Sequence, residues 1–369
     1  MIPAEVSTFN ERLAAVLQKQ GHEVVIYSFS LQYPSFLFPG KSQFTDEPAP
    51  EGLTIKSIIN SVNPLNWLVA GNKIRNARPD LIIVRFWIPF MGPCLGTILR
   101  IVRGNKHTRI LCIVDNLIPH EARPGDKQFT SYFLKPVQAF LTMSKTVLQD
   151  VKAVTDKPAF YSPHPVYDTY GAALSKEEAC KRLNLDPEKK YMLFFGFIRD
   201  YKGLDWLLEA MADERIKKAG IHLLVAGEYY DKGAIAANNK IIEDNGLTDV
   251  VHLFTDFIPN NEVALYFGAA DVAVQPYKHA TVSGITQVAY HFEKPMVVTN
   301  VGGLPEVVPD GKVGFVTEPN PKSIADGIIR FYEPGSLPAL RENLLTEKKK
   351  YSWETFIDVL MKSAFFDKK

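Results

Sequence analysis

Helix-period and strand-period segments alternate from one end of this 369-residue chain to the other, and this constrains the fold more than any other feature. Residues 9–20 (FNERLAAVLQKQ) carry apolar side chains at helical spacing and are closed by Gly21 and His22, after which EVVIYSF reads as a strand. Short continuous apolar runs follow at 81–84 (LIIV), 109–114 (RILCIV), 191–196 (YMLFFG), 222–226 (HLLVA), 250–254 (VVHLF), 271–275 (DVAVQ) and 296–299 (MVVT). Strands buried on both faces of a parallel sheet show such runs. Amphipathic helices fill the intervals, as at 204–212 and 262–269. The expected fold is α/β, with two Rossmann-like doubly wound parallel-sheet domains facing a cleft.

Length supports two domains, because 369 residues exceed what one ordinary core accommodates. The alternation pauses at 161–171 (YSPHPVYDTYG), which places a boundary at residue 165. The reading is a first domain over 1–165, a second over 166–350, and a closing segment over 351–369. A Rossmann unit normally opens on a strand, whereas this chain opens on a helix, so the first strand of domain 1 is missing from the pattern. Residues 351–366 (YSWETFIDVLMKSAFF) read as an amphipathic helix.

Charge is balanced overall, with 42 Lys and Arg against 41 Asp and Glu, which argues against a nucleic-acid binder. The halves differ. Residues 1–165 hold 18 basic and 12 acidic side chains, and the remainder 24 and 29. Either the first domain meets something negatively charged, or the split reflects chance and complementarity between domains. Cys94, Cys112 and Cys180 are scattered, which fits reduced thiols and a cytoplasmic protein rather than a disulfide framework or a zinc site. The most apolar stretch, 81–102, is interrupted by Arg85, Pro89, Pro93 and Arg100 and is not a membrane span. No signal peptide pattern opens the chain.

The chemistry-bearing segment is 194–210, FFGFIRDYKGLDWLLEA. A strand ends at Gly196, Arg199 and Lys202 occupy the turn, and a helix follows Gly203. Two cations beside a helix N-terminus suit a diphosphate, since free N–H groups and the helix dipole add to the fixed charge. Ordinary surface cations in a loop are the alternative. Downstream, Ser283-Gly284-Ile285 opens another helix, and Gly302-Gly303 permits a tight turn. No H-E-x-x-H, G-x-S-x-G, P-loop or D-x-D motif occurs, so protease, hydrolase and P-loop readings fail and no metal-holding motif is present.

Taken in order, these segments resemble the retaining glycosyltransferases of family 4, which have the GT-B fold. The G-x-x-R-x-x-K-G segment appears as Gly196, Arg199, Lys202 and Gly203, the "aaDv.v.P" strand as residues 269–276, and "kPvv.t.vGG.pEvv" as residues 294–308. The resemblance implies that Arg199 and Lys202 hold the diphosphate of a nucleotide-sugar donor, helped by Ser283 and Gly284. Gly196, Gln287 and Glu306 are further donor contacts. Gln287 reads equally as a helix-surface residue, and Glu306 as a helix-start acid. The family's histidine after a first-domain strand matches His120 in DNLIPHE, here assigned a catalytic place, with a structural loop histidine as the alternative. Residues 85–87 are placed on the acceptor side, and the resemblance implies that the closing helix over 351–369 crosses back onto the first domain, with a membrane-surface helix as the alternative.

One departure stands out. The family's two glutamates, eight positions apart, fall on Ala280 and Val288, so neither carboxylate is present. The resemblance implies transfer of a hexose or N-acetylhexosamine, with retention and without metal or other cofactor. The acceptor is a glycan or lipid-linked molecule of polysaccharide or cell-envelope synthesis, reached through peripheral contact of the basic first domain with the inner face of the membrane. A nucleotide-sugar epimerase and a degenerate binding subunit are the alternatives.

Overall fold

The structure is a computed structural model that describes residues 4–34, 51–117, 124–166, 170–231, 233–280 and 283–366, with side chains from residue 9. Its chain divides into two compact units, one of Met1–Pro163 with Trp353–Lys369 and one of His164–Ser352.

In the first unit, β1 (Val25–Leu31) and β2 (Thr54–Asn60) form a parallel pair, and β3 (Leu81–Phe86), β4 (Arg109–Val114), β5 (Ala139–Thr142) and β6 (Ala159–Tyr161) a parallel four-stranded sheet in that order. The helix Ala4–Lys19 precedes β1. Period-two alternation on β4 divides its side chains between two cores. Ile110, Cys112 and Val114 join the layer of Phe86, Ile98 and Phe133, while Leu111 and Ile113 join Phe9, Phe356 and Leu360. The second of these layers includes the helix Trp353–Ala364, whose Trp353 and Phe356 rings lie 5.1 and 5.7 Å from that of Phe9. Arg109 Nη1 donates to the Ala364 carbonyl at 3.3 Å, closing the helix end onto β4.

The second unit holds β7 (Lys190–Phe195), β8 (Ile221–Ala226), β9 (Val251–Phe254), β10 (Val272–Gln275), β11 (Met296–Thr299) and β12 (Gly314–Thr317) in one parallel sheet ordered β12-β11-β10-β7-β8-β9. This is the doubly wound order, with its switch point between β7 and β10, where the connections leave in opposite directions. Helices cover both faces. Val272 and Val274 pack with Leu207 and Ile328 on one side, and Ala273 packs with Phe267, Ala289 and Tyr290 on the other. Cys94, Cys112 and Cys180 are free and buried; loss of solvation pushes the Cys94 thiol up to about 12.

Two histidines on neighbouring strands of this sheet set a pH limit. His222 on β8 and His252 on β9 stack at 5.4 Å, with His222 Nδ1 and His252 Nε2 3.1 Å apart. Such a contact needs one ring nitrogen to donate and the other to accept, so it is lost when both rings are doubly protonated. Burial lowers both pKa values, with Lys189 adding to the effect. The unfolded chain therefore takes up these protons first as pH falls. Stability contributed by the pair is complete above the ordinary histidine pKa of about 6.5 and is lost as pH drops through the lower folded values. Urea unfolding of wild type and His252→Gln between neutral and mildly acidic pH should show a shallower acid loss in the variant; parallel curves would refute the assignment.

Candidate functional site

The switch point fixes where a site forms in the second unit. β7 and β10 pair as Val272↔Met192 and Ala273↔Leu193, and that register carries Gln275 to the level of Phe195, just before Gly196. Gly196 has φ +93°, and a Cβ built there would lie 3.1 Å from Lys202 Nζ and 3.3 Å from Ile285 Cδ1. The strand end, the Lys202 ammonium and the first turn of the helix Gly284–His291 thus converge on one bare Cα. Gly227, from the turn after β8, closes the other side, where a Cβ would fall 2.3 Å from the Gly196 carbonyl oxygen.

The loop that carries the cations is rigidly built. Asp200–Lys202 forms a single 3₁₀ turn ended by Gly203 at φ +68°, and the helix Leu204–Met211 follows. A Cβ at Gly203 would sit 2.1 Å from the Pro276 carbonyl oxygen, so this turn lies directly on the exit of β10. Lys278 fastens it there. Its N–H donates to the Tyr201 carbonyl at 2.7 Å, and its ammonium donates to Asp200 and Asp205 at 2.8 Å each. Burial would lower the Lys278 pKa, but the two carboxylates overcome this and hold it above the usual lysine range.

Arg199 and Lys202, equivalent in the sequence, differ in the structure. Lys202 is only 9% exposed, with its ammonium 5.8 Å from the centre of the Tyr277 ring. Arg199 is exposed, its guanidinium resting 4.0 Å over the Tyr230 ring. Tyr277 also links to the second helix, its hydroxyl lying 3.3 Å from Ser283 Oγ. Ser283 is the N-cap, accepting from the Ile285 N–H at 3.3 Å, and Gly284 is exposed at the first helical position.

The structure therefore brings together Gly196, Lys202, Ser283 and the Gly284 helix start, with Arg199 at the edge. Gln287 is not a surface residue. It is 1% exposed, and both of its amide atoms lack a hydrogen-bond partner among the described residues. Gln275, also 1% exposed, is in the same condition. Leaving a buried amide unsatisfied costs about 1–3 kcal/mol. Glu306 is exposed in the first turn of the short helix Leu304–Val307. Val288, at one of the absent glutamate positions, is 2% exposed in the core, and Ala280 packs against that same layer. His120 lies outside the described residues. In the first unit, Arg85 pairs with Asp115 through Nε at 2.9 Å and through Nη2, and lies 4.3 Å over the Phe9 ring. Trp87 donates to the Tyr33 hydroxyl at 2.8 Å.

Sequence reasoning passed over Tyr277, Gln275 and Lys278. The polar Gln275 ending the apolar run DVAVQ was the one visible signal, since a central strand seldom buries an amide without a reason. Among the described residues, no group of three or more His, Cys, Asp or Glu is placed to hold a metal ion.

Two parallel-sheet α/β units, the second with its switch-point site, make up the GT-B architecture. The fold is similar to that of a glycosyltransferase from Rickettsia africae ESF-5 (TM-score 0.75, 18% identity, covering 98% of this chain and 95% of that one). It is also similar to Anabaena Alr3699/HepE in complex with UDP (TM-score 0.67, 14% identity, covering 84% of this chain and 85% of that one). Residues 189–334 match the family model described as glycosyl transferases group 1. A D-inositol 3-phosphate glycosyltransferase of Segniliparus rotundus is 30% identical over 192 residues, 51% of this chain and 42% of that protein. The match spans less than half the length of such curated relatives.

Proposed function

We propose that the chain transfers a sugar from a nucleotide-sugar donor to an acceptor hydroxyl, with the donor's diphosphate at Gly196. The observation that carries this reading is the convergence of the buried Lys202 ammonium and the Gly284 helix start on the bare Gly196 Cα. A Cβ there would fill the space in which an anion meets both charge sources. The UDP bound by the similar Anabaena fold supports a nucleoside diphosphate as the ligand class. In this reading Lys202 and Arg199 supply the positive charge, so no metal is required. Ser283 and Gly284 position the phosphates, Gln275 and Gln287 bind polar groups of the donor, and Glu306 and His120 remain candidate contacts for its sugar.

Transfer breaks the bond between the sugar's anomeric carbon and the diphosphate oxygen, and that electron pair leaves with the phosphate. The acceptor oxygen bonds to the same face of the carbon, and its proton passes to the departing phosphate. The configuration is thereby retained. The sugar is a hexose or N-acetylhexosamine and the acceptor a glycan or lipid-linked molecule, which the basic first unit meets at a membrane surface. A thermal-shift series with nucleoside diphosphates tests the donor site. A ligand at about 100 times its dissociation constant adds about 2.7 kcal/mol. The reading fails if no nucleotide raises the wild-type Tm. NMR of the product anomer tests retention, and an inverted product would overturn it.

The two orphaned glutamines give a prediction of opposite signs. Gln287→Met or Gln275→Met keeps the side-chain length and removes the unsatisfied amide. The nucleotide-free protein should gain about 1 kcal/mol, while the stabilisation added by the nucleotide sugar shrinks. Urea denaturation with and without ligand separates the two effects. A variant that is less stable without ligand and responds normally to it would show these amides to be structural.

A further inference from the structure

The helix Pro64–Ala77 is fixed on its inner side and open on the other. Ala70, Gly71 and Ile74 are buried, and a Cβ added at Gly71 would come 2.8 Å from Ile101 Cδ1, so the helix lies tightly on Gly92–Arg103. Its start is pinned as well. Asn63 accepts from the Leu65 and Asn66 N–H groups, Asn66 bridges the Asn60 N–H and the Ile58 carbonyl, and Trp67 Nε1 donates to the Asn60 carbonyl at 2.9 Å. The face this leaves outward is aliphatic. Leu65 is 73% exposed, Val69 66% and Leu68 47%, with Val62 at 43% just ahead of the cap. A solvent-facing helix normally carries polar residues at such positions, and here they begin only with Asn72 and Lys73, one turn further on.

Charge in this part of the chain is mostly positive. Residues 52–114 contain nine Lys and Arg and a single acid, Asp80, which pairs with His107 at 3.0 Å. Lys73, Arg78, Arg103 and Lys106 are exposed. The C-terminal ends of the two helices are tied together, Asn105 Nδ2 donating to the Arg75 carbonyl at 3.4 Å and Arg75 Nη2 to the Gly104 carbonyl at 3.5 Å.

We propose that this surface docks on an anionic lipid bilayer, with Leu65, Leu68 and Val69 entering the headgroup layer and the adjoining cations meeting lipid phosphates. The patch is aliphatic rather than aromatic, and the exposed cations beside it, Lys73, Arg78, Arg103 and Lys106, complement the negative charge of lipid phosphates. The helix is too short and too polar to span the bilayer, and no described helix is long and apolar enough to do so. This inference specifies the membrane contact proposed above. Its test uses no sugar donor, so failure here leaves the donor reading untouched.

Co-sedimentation of the full chain with vesicles of phosphatidylcholine alone, or of phosphatidylcholine mixed equally with phosphatidylglycerol, decides the matter. Wild type should bind the mixed vesicles and be released by salt. Leu65→Ser/Val69→Ser should weaken binding about tenfold or more, and Lys73→Gln about fivefold, with Tm unchanged because all three side chains are exposed. Absence of binding by wild type, or undiminished binding by both variants, would overturn the proposal. So would a wild type that ignores vesicles but forms a dimer that the double variant dissolves in light scattering, since that would make the face a self-association interface.

Discussion

Lys202→Ala is expected to abolish stabilisation by nucleoside diphosphates and to lower the rate of sugar transfer by about 10²–10³, with a smaller loss for Arg199→Ala. The ranking follows from burial. Lys202 is 9% exposed and held against Gly196, where a low local dielectric strengthens its attraction for phosphate. Arg199 is exposed over Tyr230, in contact with water and salt. Its contribution should therefore fade as ionic strength rises, while that of Lys202 persists. Lys202→Arg should rescue poorly, because the ammonium already lies 3.1 Å from where a Cβ of Gly196 would be, and a planar guanidinium needs more room. Calorimetric titration with a nucleoside diphosphate at low and high salt, for wild type and each variant, measures all of these effects. Equal losses for the two alanine variants, with equal salt dependence, would remove the distinction between the cations.

Gly203→Ala is expected to destabilise the second unit by about 3 kcal/mol or more, roughly 6–12 °C in Tm for a domain of this size. Left-handed backbone alone costs an alanine about 1 kcal/mol. The remainder comes from a Cβ placed 2.1 Å from the Pro276 carbonyl oxygen, which forces the 3₁₀ turn off β10. Gly220 is a built-in control, having φ +64° and nothing within 4 Å of an added Cβ. Gly220→Ala should show only the conformational cost. Calorimetric scans of both variants separate strain from collision, and similar Tm losses would mean the turn does not bear on Pro276. Because the same turn aims Lys202, Gly203→Ala should also weaken nucleotide binding, whereas Gly220→Ala should not.

Much of the second unit was legible in the sequence because its strands are buried on both faces. The runs at 191–196, 222–226, 271–275 and 296–299 correspond to β7, β8, β10 and β11 to within a residue at either end. β2 was not singled out, since TIKSIIN is largely exposed or half-exposed and mixes polar with apolar residues. β5, β6 and β12, three or four residues long, were not singled out either. The strand read at 23–29 lies at Val25–Leu31, its pairing with β2 interrupted by register shifts near Phe29. At the site, motif order located the turn and the helix start but could not rank the two cations. That ranking depends on Tyr277 and Lys278, which reach the turn from the far side of the switch point. Gln287 read equally well as a surface residue because one amide on a short helix carries no periodic signal, and only packing shows that it is buried.

The helix Trp353–Ala364 has a consequence for the order in which the molecule is made. It supplies Trp353, Phe356, Ile357 and Leu360 to the layer that covers Leu111 and Ile113 of the first unit, yet it is translated after the whole of the second. On the ribosome the first unit therefore waits with one face of its sheet covered only by its first helix until the second has emerged. A released chain ending at Ser352 should carry a finished second unit beside an unfinished first one, the reverse of the usual succession from the amino terminus.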